Sequence, residues 1–303
     1  MVFSTLKPEI LEKWYVAARL DGVPEEAYKP GARIVTASDS GYSFGVIHNE
    51  YRFRRLAPDN NGDLNSCNMC TAVSFAMNEC EKNLFPNEKL LDFIITNNKY
   101  PIHRGISLAI TKQERDMYTT RNLSPLVEEL KFFLDLSERT GFELYHNSPG
   151  FGATIPNHEH WHLTNFRSFY DDIGETYGFD AAEKEQSKKT AKVSFMPEFP
   201  FAHAIFSKDD PERIIDFLSN VHRNLSTSYR EGSIPHTLSE GYDGILITVG
   251  KSHLAKSRGS GDVAGHLVFR SEEDYNNTIH EACMSEIDKL LFRREDLDLE
   301  RFI

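Results

Sequence analysis

Three histidines at alternate positions, His158, His160 and His162, constrain this chain more than any other feature. They lie in the stretch 147–166, which reads NSPGFGATIPNHEHWHLTNF. In a β-strand successive side chains point to opposite faces, so this spacing puts the three imidazoles on one side. On a helix the middle ring would stand about 200° from the first, away from the other two. Pro156 upstream and the aromatic neighbours also oppose a helix start here. Such a row can be an indifferent polar strand face, a metal cluster, or a nucleophilic histidine with two supporting ones. The approach bears on the choice. Asn147-Ser148-Pro149-Gly150-Phe151-Gly152-Ala153 has short side chains and is rich in glycine, so its backbone N–H groups can come close to an anionic oxygen. A phosphate cradle beside a histidine row points to phosphoryl or nucleotidyl transfer.

The rest of the chain limits where that chemistry can sit. A length of 303 residues allows one large or two modest domains around a sizeable core. The net charge is −12, from 34 basic and 46 acidic residues, which opposes a broad nucleic-acid footprint. An anionic substrate would have to be met by local basic groups or backbone donors. No apolar run approaches the roughly 20 residues of a membrane span, and the N-terminal sequence lacks a signal-peptide core. Four unevenly spaced cysteines do not suggest a disulfide framework, which makes a reducing cytoplasm the default.

Residues 1–30 carry Ile10, Leu11, Trp14, Tyr15 and Ala18 at helical spacing. Residues 33–56 read as a small antiparallel meander of three strands, the last of them Tyr51 to Arg54. Arg52, Arg54 and Arg55 are either a phosphate contact or a solvated strand face. Leu90–Asn97 and Ser107–Thr111 read as strands, and Ser124–Gly141 as a helix with Ser124 at its cap, Pro125 in its first turn and Gly141 past its end. A strand at Glu143–His146, the glycine-rich approach and the histidine strand follow. After a polar crossover, Val193–Phe206 is expected as strand broken by Pro197 and Pro200. Pro211–Ser226 is expected as helix, Tyr242–Val249 and Gly265–Arg270 as strands, and Ser271–Phe292 as a final helix. Cys80 and Cys283 read as small core hydrophobes.

The order Asn-Ser-x-Gly, Ala-Thr-Ile, Asn-His-x-His resembles the histidine motif of the histidine-triad and galactose-1-phosphate uridylyltransferase superfamily. It is most similar to the GDP-hexose and dinucleoside tetraphosphate phosphorylase branch. Asn98-Lys99-Tyr100-Pro101-Ile102-His103-Arg104-Gly105 before an apolar strand is similar to that branch's Asn-x-x-Pro-Ile-x-x-Gly pattern. Val263 to Tyr275 adds a weaker match. Together the matches span residues 90–275. The implied fold is α+β: two histidine-triad-like halves, antiparallel sheets with flanking helices, over residues 1–180 and 181–303, the second degenerate and without a histidine row. The chain also departs from the pattern. His162 stands where many transferases of the superfamily have glutamine and its hydrolases have histidine. Glu159 stands where those hydrolases carry an apolar residue, Pro156 lengthens the approach, and Ile106 replaces a histidine.

The resemblance implies His160 as the nucleophile that forms a covalent nucleotidyl-imidazole. His158 would orient it or bind zinc, and His162 would contact a non-bridging oxygen. Asn147, Ser148, the N–H groups near Gly150, and Lys256 in the basic loop 251–261 would hold phosphates. A C-x-x-C pair can contribute two thiolates to a zinc site, which needs four ligands. Carried over from relatives, a structural zinc would be held by Cys67, Cys70, His103 and His158, the alternative being a pair of buried thiols. No organic cofactor is expected, and the expected partners are a nucleotide or nucleotide-sugar substrate and phosphate. The first expectation is thus a sugar-nucleotide phosphorylase. Alternatives are a dinucleoside polyphosphate phosphorylase or histidine-triad hydrolase, a metal-dependent cupin using His158 and His160, and a non-catalytic nucleotide-binding protein. The cupin reading expects a carboxylate shortly after the histidines, where Leu163 and Thr164 stand.

Overall fold

An eight-stranded sheet, antiparallel at every pairing, carries the histidines. The computed structural model describes residues 6–28, 31–36, 43–52, 68–85, 91–102, 104–113, 127–148, 158–165, 193–194, 201–225, 236–241, 244–251 and 266–303. In chain order the elements are α1 (Pro8–Leu20), β1 (Gly31–Thr36), β2 (Ser43–His48), α2 (Asn68–Asn78), β3 (Phe93–Asn97) and β4 (Ser107–Thr111). Then come α3 (Val127–Thr140), β5 (Glu143–Asn147), β6 (His160–Thr164), β7 (Val193–Ser194), β8 (His203–Phe206) and α4 (Pro211–Leu225). The chain ends with β9 (His236–Glu240), β10 (Ile245–Val249), β11 (His266–Phe269), α5 (Glu272–Asn277) and α6 (His280–Leu290).

The large sheet has the order β3-β4-β6-β5-β9-β10-β8-β7. Read inward from its two edges, it is the same unit twice. The units are β3-β4-β6-β5 with α3 between its second and third strands in sequence, and β7-β8-β10-β9 with α4 in the same place. They meet where β5 pairs with β9, Tyr145 opposite Ser239, His146 opposite Leu238 and Asn147 opposite Thr237. The α+β fold and its two related halves are as the sequence implied.

Both strand faces are built from the alternation. Phe93, Ile95, Ala109, Trp161, Leu163, Leu144, Leu238, Ile245 and Ile247 pack with the apolar stripes of α1, α3 and α4 into the main core. Trp161, only 1% exposed, lies between the rings of Phe133 and His146, each centroid 4.7 Å away. The intervening residues face the other way. Over the first half α2 covers them, Val73 and Ala76 packing on Ile94, Leu108 and Ile110. Over the second half Val35, Phe44, Val46, Leu267, Cys283 and Ile287 close on Phe201 and Leu246 as a second core. Cys283 is fully buried there, as expected of a small apolar residue. The seam is tied by buried Glu240, whose Oε1 accepts from Ser137 Oγ and Lys208 Nζ at 2.7 Å each and whose Oε2 accepts from the Leu144 amide at 3.1 Å.

Three expectations are corrected. The third strand of the small sheet is β11, parallel to β2; Tyr51 and Arg52 stand outside it, and residues 53–54 of the expected strand lie outside the described residues. The chain leaves the sheet at Asn49, whose Nδ2 bonds the carbonyls of Ala27, Pro101 and Ile102 at 2.9–3.1 Å and whose Oδ1 accepts from the Arg52 amide. The strand at Gly265–Arg270 therefore serves the small sheet. Its expected place in the second half belongs to β9, which the sequence reading passed over. The last helix is two, separated at Thr278 and Ile279. Thr278 Oγ1 bonds the Asp274 carbonyl, a local competitor with the helix's own ladder. The strand expected over Val193–Phe206, broken by Pro197 and Pro200, is found in two pieces, Val193–Ser194 and His203–Phe206, with residues 195–200 outside the described ones.

Candidate active site

β6 starts at His160 and is held on both sides, His160 opposite Ile110 of β4 and Tyr145 of β5 opposite His162. One residue earlier the Glu159 carbonyl accepts from the Thr111 amide at 3.2 Å and from Thr111 Oγ1 at 3.3 Å, so the approach is fixed before the strand begins. Alternation then does what the spacing demanded, with His160 and His162 on the face turned away from the main core and Trp161 and Leu163 in it.

Each ring has a defined role in this geometry. His158 is fully buried, and its Nε2 donates to the Thr111 carbonyl at 2.6 Å. His160 is 3% exposed, and its Nδ1 donates to the His158 carbonyl at 2.9 Å. A carbonyl only accepts, so this bond puts the proton on Nδ1 and the lone pair on Nε2. A nucleophilic imidazole requires that tautomer. His162 is half-buried, its ring edge-on to His160 with centroids 5.3 Å apart.

The end of β5 completes what is described of the site. Extending the β5–β6 register by two residues sets Asn147 opposite His160, and on its other side Asn147 pairs with Thr237 of β9. Asn147 and His160 thus lie on one sheet face, just past the last β5–β6 pair, and Thr237 is a polar neighbour of Asn147 that the sequence reading did not name. Ser148 is fully buried, and its hydroxyl accepts from the His236 amide at 2.7 Å. The same two residues are also joined through the Ser148 amide and the His236 carbonyl, which pins the start of the glycine-rich segment to β9.

Upstream, the second motif forms the turn between β3 and β4. Asn98 Oδ1 accepts from the Tyr100 amide, and Arg52 donates to the Tyr100 carbonyl at 2.5 Å. Arg52 therefore braces this turn, a role not expected from sequence, where it read as a phosphate contact or a solvated strand face. Gly105 has φ +81°, and a Cβ there would lie 2.8 Å from Asn165 Nδ2, so the motif's glycine is demanded both by conformation and by close approach.

Gly150, Lys256, Cys67 and His103 lie outside the described residues, as do Pro156, Arg54 and Arg55; Cys70 and Cys80 contribute backbone only. Of the proposed zinc ligands, His158 alone has a described side chain. With Nε2 given to Thr111, a metal bond would have to come from Nδ1. Among the described residues, no three histidine, cysteine or acidic side chains are grouped to hold a metal. No described helix is long and apolar enough to cross a membrane.

The arrangement was compared with known proteins. No family model matches the chain, and no curated protein matches it in sequence. Solved structures do. Yeast Ap4A phosphorylase Apa2 in complex with AMP superposes with a TM-score of 0.63 at 16% identity, over 97% of this chain and 99% of that one. The same protein in complex with Ap4A gives 0.64 over the same shares, and without either ligand 0.62 over 97% and 96%. The chain shares the fold of these phosphorylase structures. The likeness runs through both halves, so it covers the degenerate second unit as well as the histidine strand. Motif and superposition, read independently, agree on the fold.

Proposed function

We propose that the protein is a nucleotidyl-transferring phosphorylase, working through a covalent nucleotidyl group on His160. The observation that carries the reading is the His160 Nδ1 bond to the His158 carbonyl, on a face shared with Asn147 and in a fold shared with a phosphorylase. His160 Nε2 attacks the α-phosphorus of the substrate, and the bond from phosphorus to the bridging oxygen breaks. The leaving group departs as a phosphate anion, which needs little help from an acid. The imidazole, now carrying a nucleotidyl group on Nε2, shares its positive charge with Nδ1–H, and the His158 carbonyl accepts that hydrogen bond. Inorganic phosphate then attacks the same phosphorus, giving a nucleoside diphosphate and restoring neutral His160. Asn147 holds a phosphate oxygen beside the reacting centre, and His162 donates to a non-bridging oxygen as charge builds there.

For the leaving half we favour a dinucleoside polyphosphate, because the structures matched along the whole chain are those of an Ap4A phosphorylase. A nucleoside diphosphate sugar is the second reading, favoured by the order of the Asn147–His160 motif. Under either reading, zinc on Cys67, Cys70, His103 and His158 would be structural and would brace the start of the histidine strand.

One assay separates these possibilities. The protein is offered a panel of dinucleoside polyphosphates and nucleoside diphosphate sugars, with and without inorganic phosphate, and products are weighed by mass spectrometry. Phosphate-dependent release of a nucleoside diphosphate is expected, together with an acid-labile protein–nucleotide adduct when phosphate is left out. Release of nucleoside monophosphate at the same rate without phosphate would make the protein a hydrolase. No adduct with any member of the panel would overturn the nucleophile.

A further inference from the structure

The histidine strand has a reverse side that the chemistry above does not use. Glu159 sits between His158 and His160 in sequence, and its side chain is 3% exposed. Its Oε1 lies 4.0 Å from Nε2 of His146, itself 1% exposed. A carboxylate taken this far out of water is costly unless it is paired. A buried carboxyl group thus faces a buried imidazole within the chain's most constrained segment.

What the pair joins is informative. His146 immediately precedes Asn147 at the end of β5, and its ring lies over Trp161 with centroids 4.7 Å apart. Glu159 immediately precedes His160, and its own carbonyl is fixed by both donors of Thr111. The two buried groups therefore link the backbone one residue before the nucleophile to the backbone one residue before its phosphate-binding neighbour. They do so where the β5–β6 pairing ends, its last register pair being Tyr145 opposite His162. The ladder alone does not hold this open end, and the close approach of the Glu159 and His146 side chains spans it from behind.

We propose that Glu159 and His146 are positioning residues that set the spacing between His160 Nε2 and the phosphate held at Asn147. The inference rests on the reading of His160 as nucleophile. Displacing a reacting atom by about 1 Å costs on the order of 100-fold in rate while ground-state contacts survive. The effect therefore belongs to the transfer step and not to binding.

The test uses the full-length protein in single turnover, with the best nucleotide of the panel and no phosphate. It measures the rate of adduct formation on His160 and, separately, the nucleotide Kd of each variant in a His160→Asn background. Glu159→Gln keeps the shape and removes the charge; His146→Gln does the same from the other side, and the double variant closes a cycle. The expected result is a roughly 10- to 100-fold slower transfer in each single variant, a Kd within about twofold of the parent, and a double variant no slower than the singles. Transfer at the wild-type rate in Glu159→Gln, or single effects that multiply in the double variant, would overturn the proposal. So would a rate loss matched by an equal loss of nucleotide affinity. If Glu159→Gln fails to fold, His146→Gln and Glu159→Val decide the same question. Wild-type protein that forms no adduct overturns the functional reading itself, which separates the two failures.

Discussion

On the sheet face turned away from α1, α3 and α4, a paired row crosses four strands, Asn147, Thr237, Thr248 and His203, and His160 of the adjacent strand lies on the same face. The two histidines stand roughly 19 Å apart at four strand spacings. Locally they are alike. His203 Nδ1 donates to the carbonyl of Phe201, two residues earlier, at 2.8 Å, as His160 Nδ1 does to His158 at 2.9 Å. Both rings are almost wholly buried. Their surroundings differ. His160 has His158 before it, half-buried His162 after it and Asn147 at its side. His203 lies between Phe201 and Ile205, under the second core formed by β1, β2, β11 and α6, with Arg294 nearby. Under the proposed function the same ring and the same hydrogen bond serve as a reaction centre in one half and as a packing element in the other.

The sharpest way to break this comparison is to exchange the fates of the two rings. His160→Asn removes the attacking lone pair and keeps a polar side chain. Turnover should fall by at least about 1,000-fold, with nucleotide binding and melting temperature little changed. Near-normal turnover, read in the panel assay, would place the two histidines on an equal footing.

The seam between the halves should show the next largest effect. Glu240→Gln weakens a buried carboxylate's bonds to Ser137, Lys208 and the Leu144 amide. A loss on the order of 2–4 kcal/mol is expected, discounted toward the lower end because Lys208 is partly exposed. Urea unfolding should show it as a lower midpoint, and a single transition would indicate that the halves unfold together. Two separated transitions in the variant would show halves that are independently stable.

His203 should reveal itself in the pH dependence of stability. Burial, helped by Arg294 and opposed by the Phe201 carbonyl, lowers its pKa from 6.5 to about 4. Because the folded value is below the unfolded one, the unfolded chain takes up the proton first as pH falls. Stability is complete above about pH 6.5 and declines toward pH 4, by on the order of 3 kcal/mol from this residue. Subtracting the profile of His203→Asn from that of wild type should isolate the slope. A flat difference over that window would mean His203 is solvated like an ordinary surface histidine.

The smallest effect belongs to the middle of the row. Thr237 and Thr248 share a hydroxyl–hydroxyl hydrogen bond at 2.9 Å, both fully buried. Thr237→Val should cost about 1–2 kcal/mol by leaving Thr248 without this partner. Since Thr237 adjoins Asn147, a shift in nucleotide affinity larger than the loss of stability would extend the active-site face into the second half. Calorimetric titration with AMP would show it.

Much of this was legible in the residues themselves. Alternation at 160–163 set the face of His160 and His162, since a strand's period of two leaves no other arrangement once Trp161 and Leu163 must be buried; His158 precedes the strand. α1, α3 and α4 were readable from apolar spacing, and Gly141, with φ +80°, ended α3 where a helix needs a left-handed residue. β9 was not readable. His236-Thr237-Leu238-Ser239-Glu240 alternates too, but only Leu238 is apolar, and its polar members are buried because partners from β5, β10, α3 and Lys208 reach them. A burial pattern created by distant partners leaves no periodic apolar signal.

The sequence by itself determined the chemistry available here: a histidine row, a glycine-rich approach, and one strand–strand–helix–strand–strand unit to carry them. Only the tertiary structure decided which strands are neighbours. β11 turned away from the half it follows and paired with β2, and Asn49, whose amide donates to the Phe269 carbonyl, ties the same hairpin to the β3–β4 turn through Pro101 and Ile102. Likewise the β5–β9 pairing alone joined Asn147 to Thr237 and set His160 and His203 on one sheet face. Pairing register between segments about 90 residues apart is set by the summed fit of two faces, which no local pattern encodes.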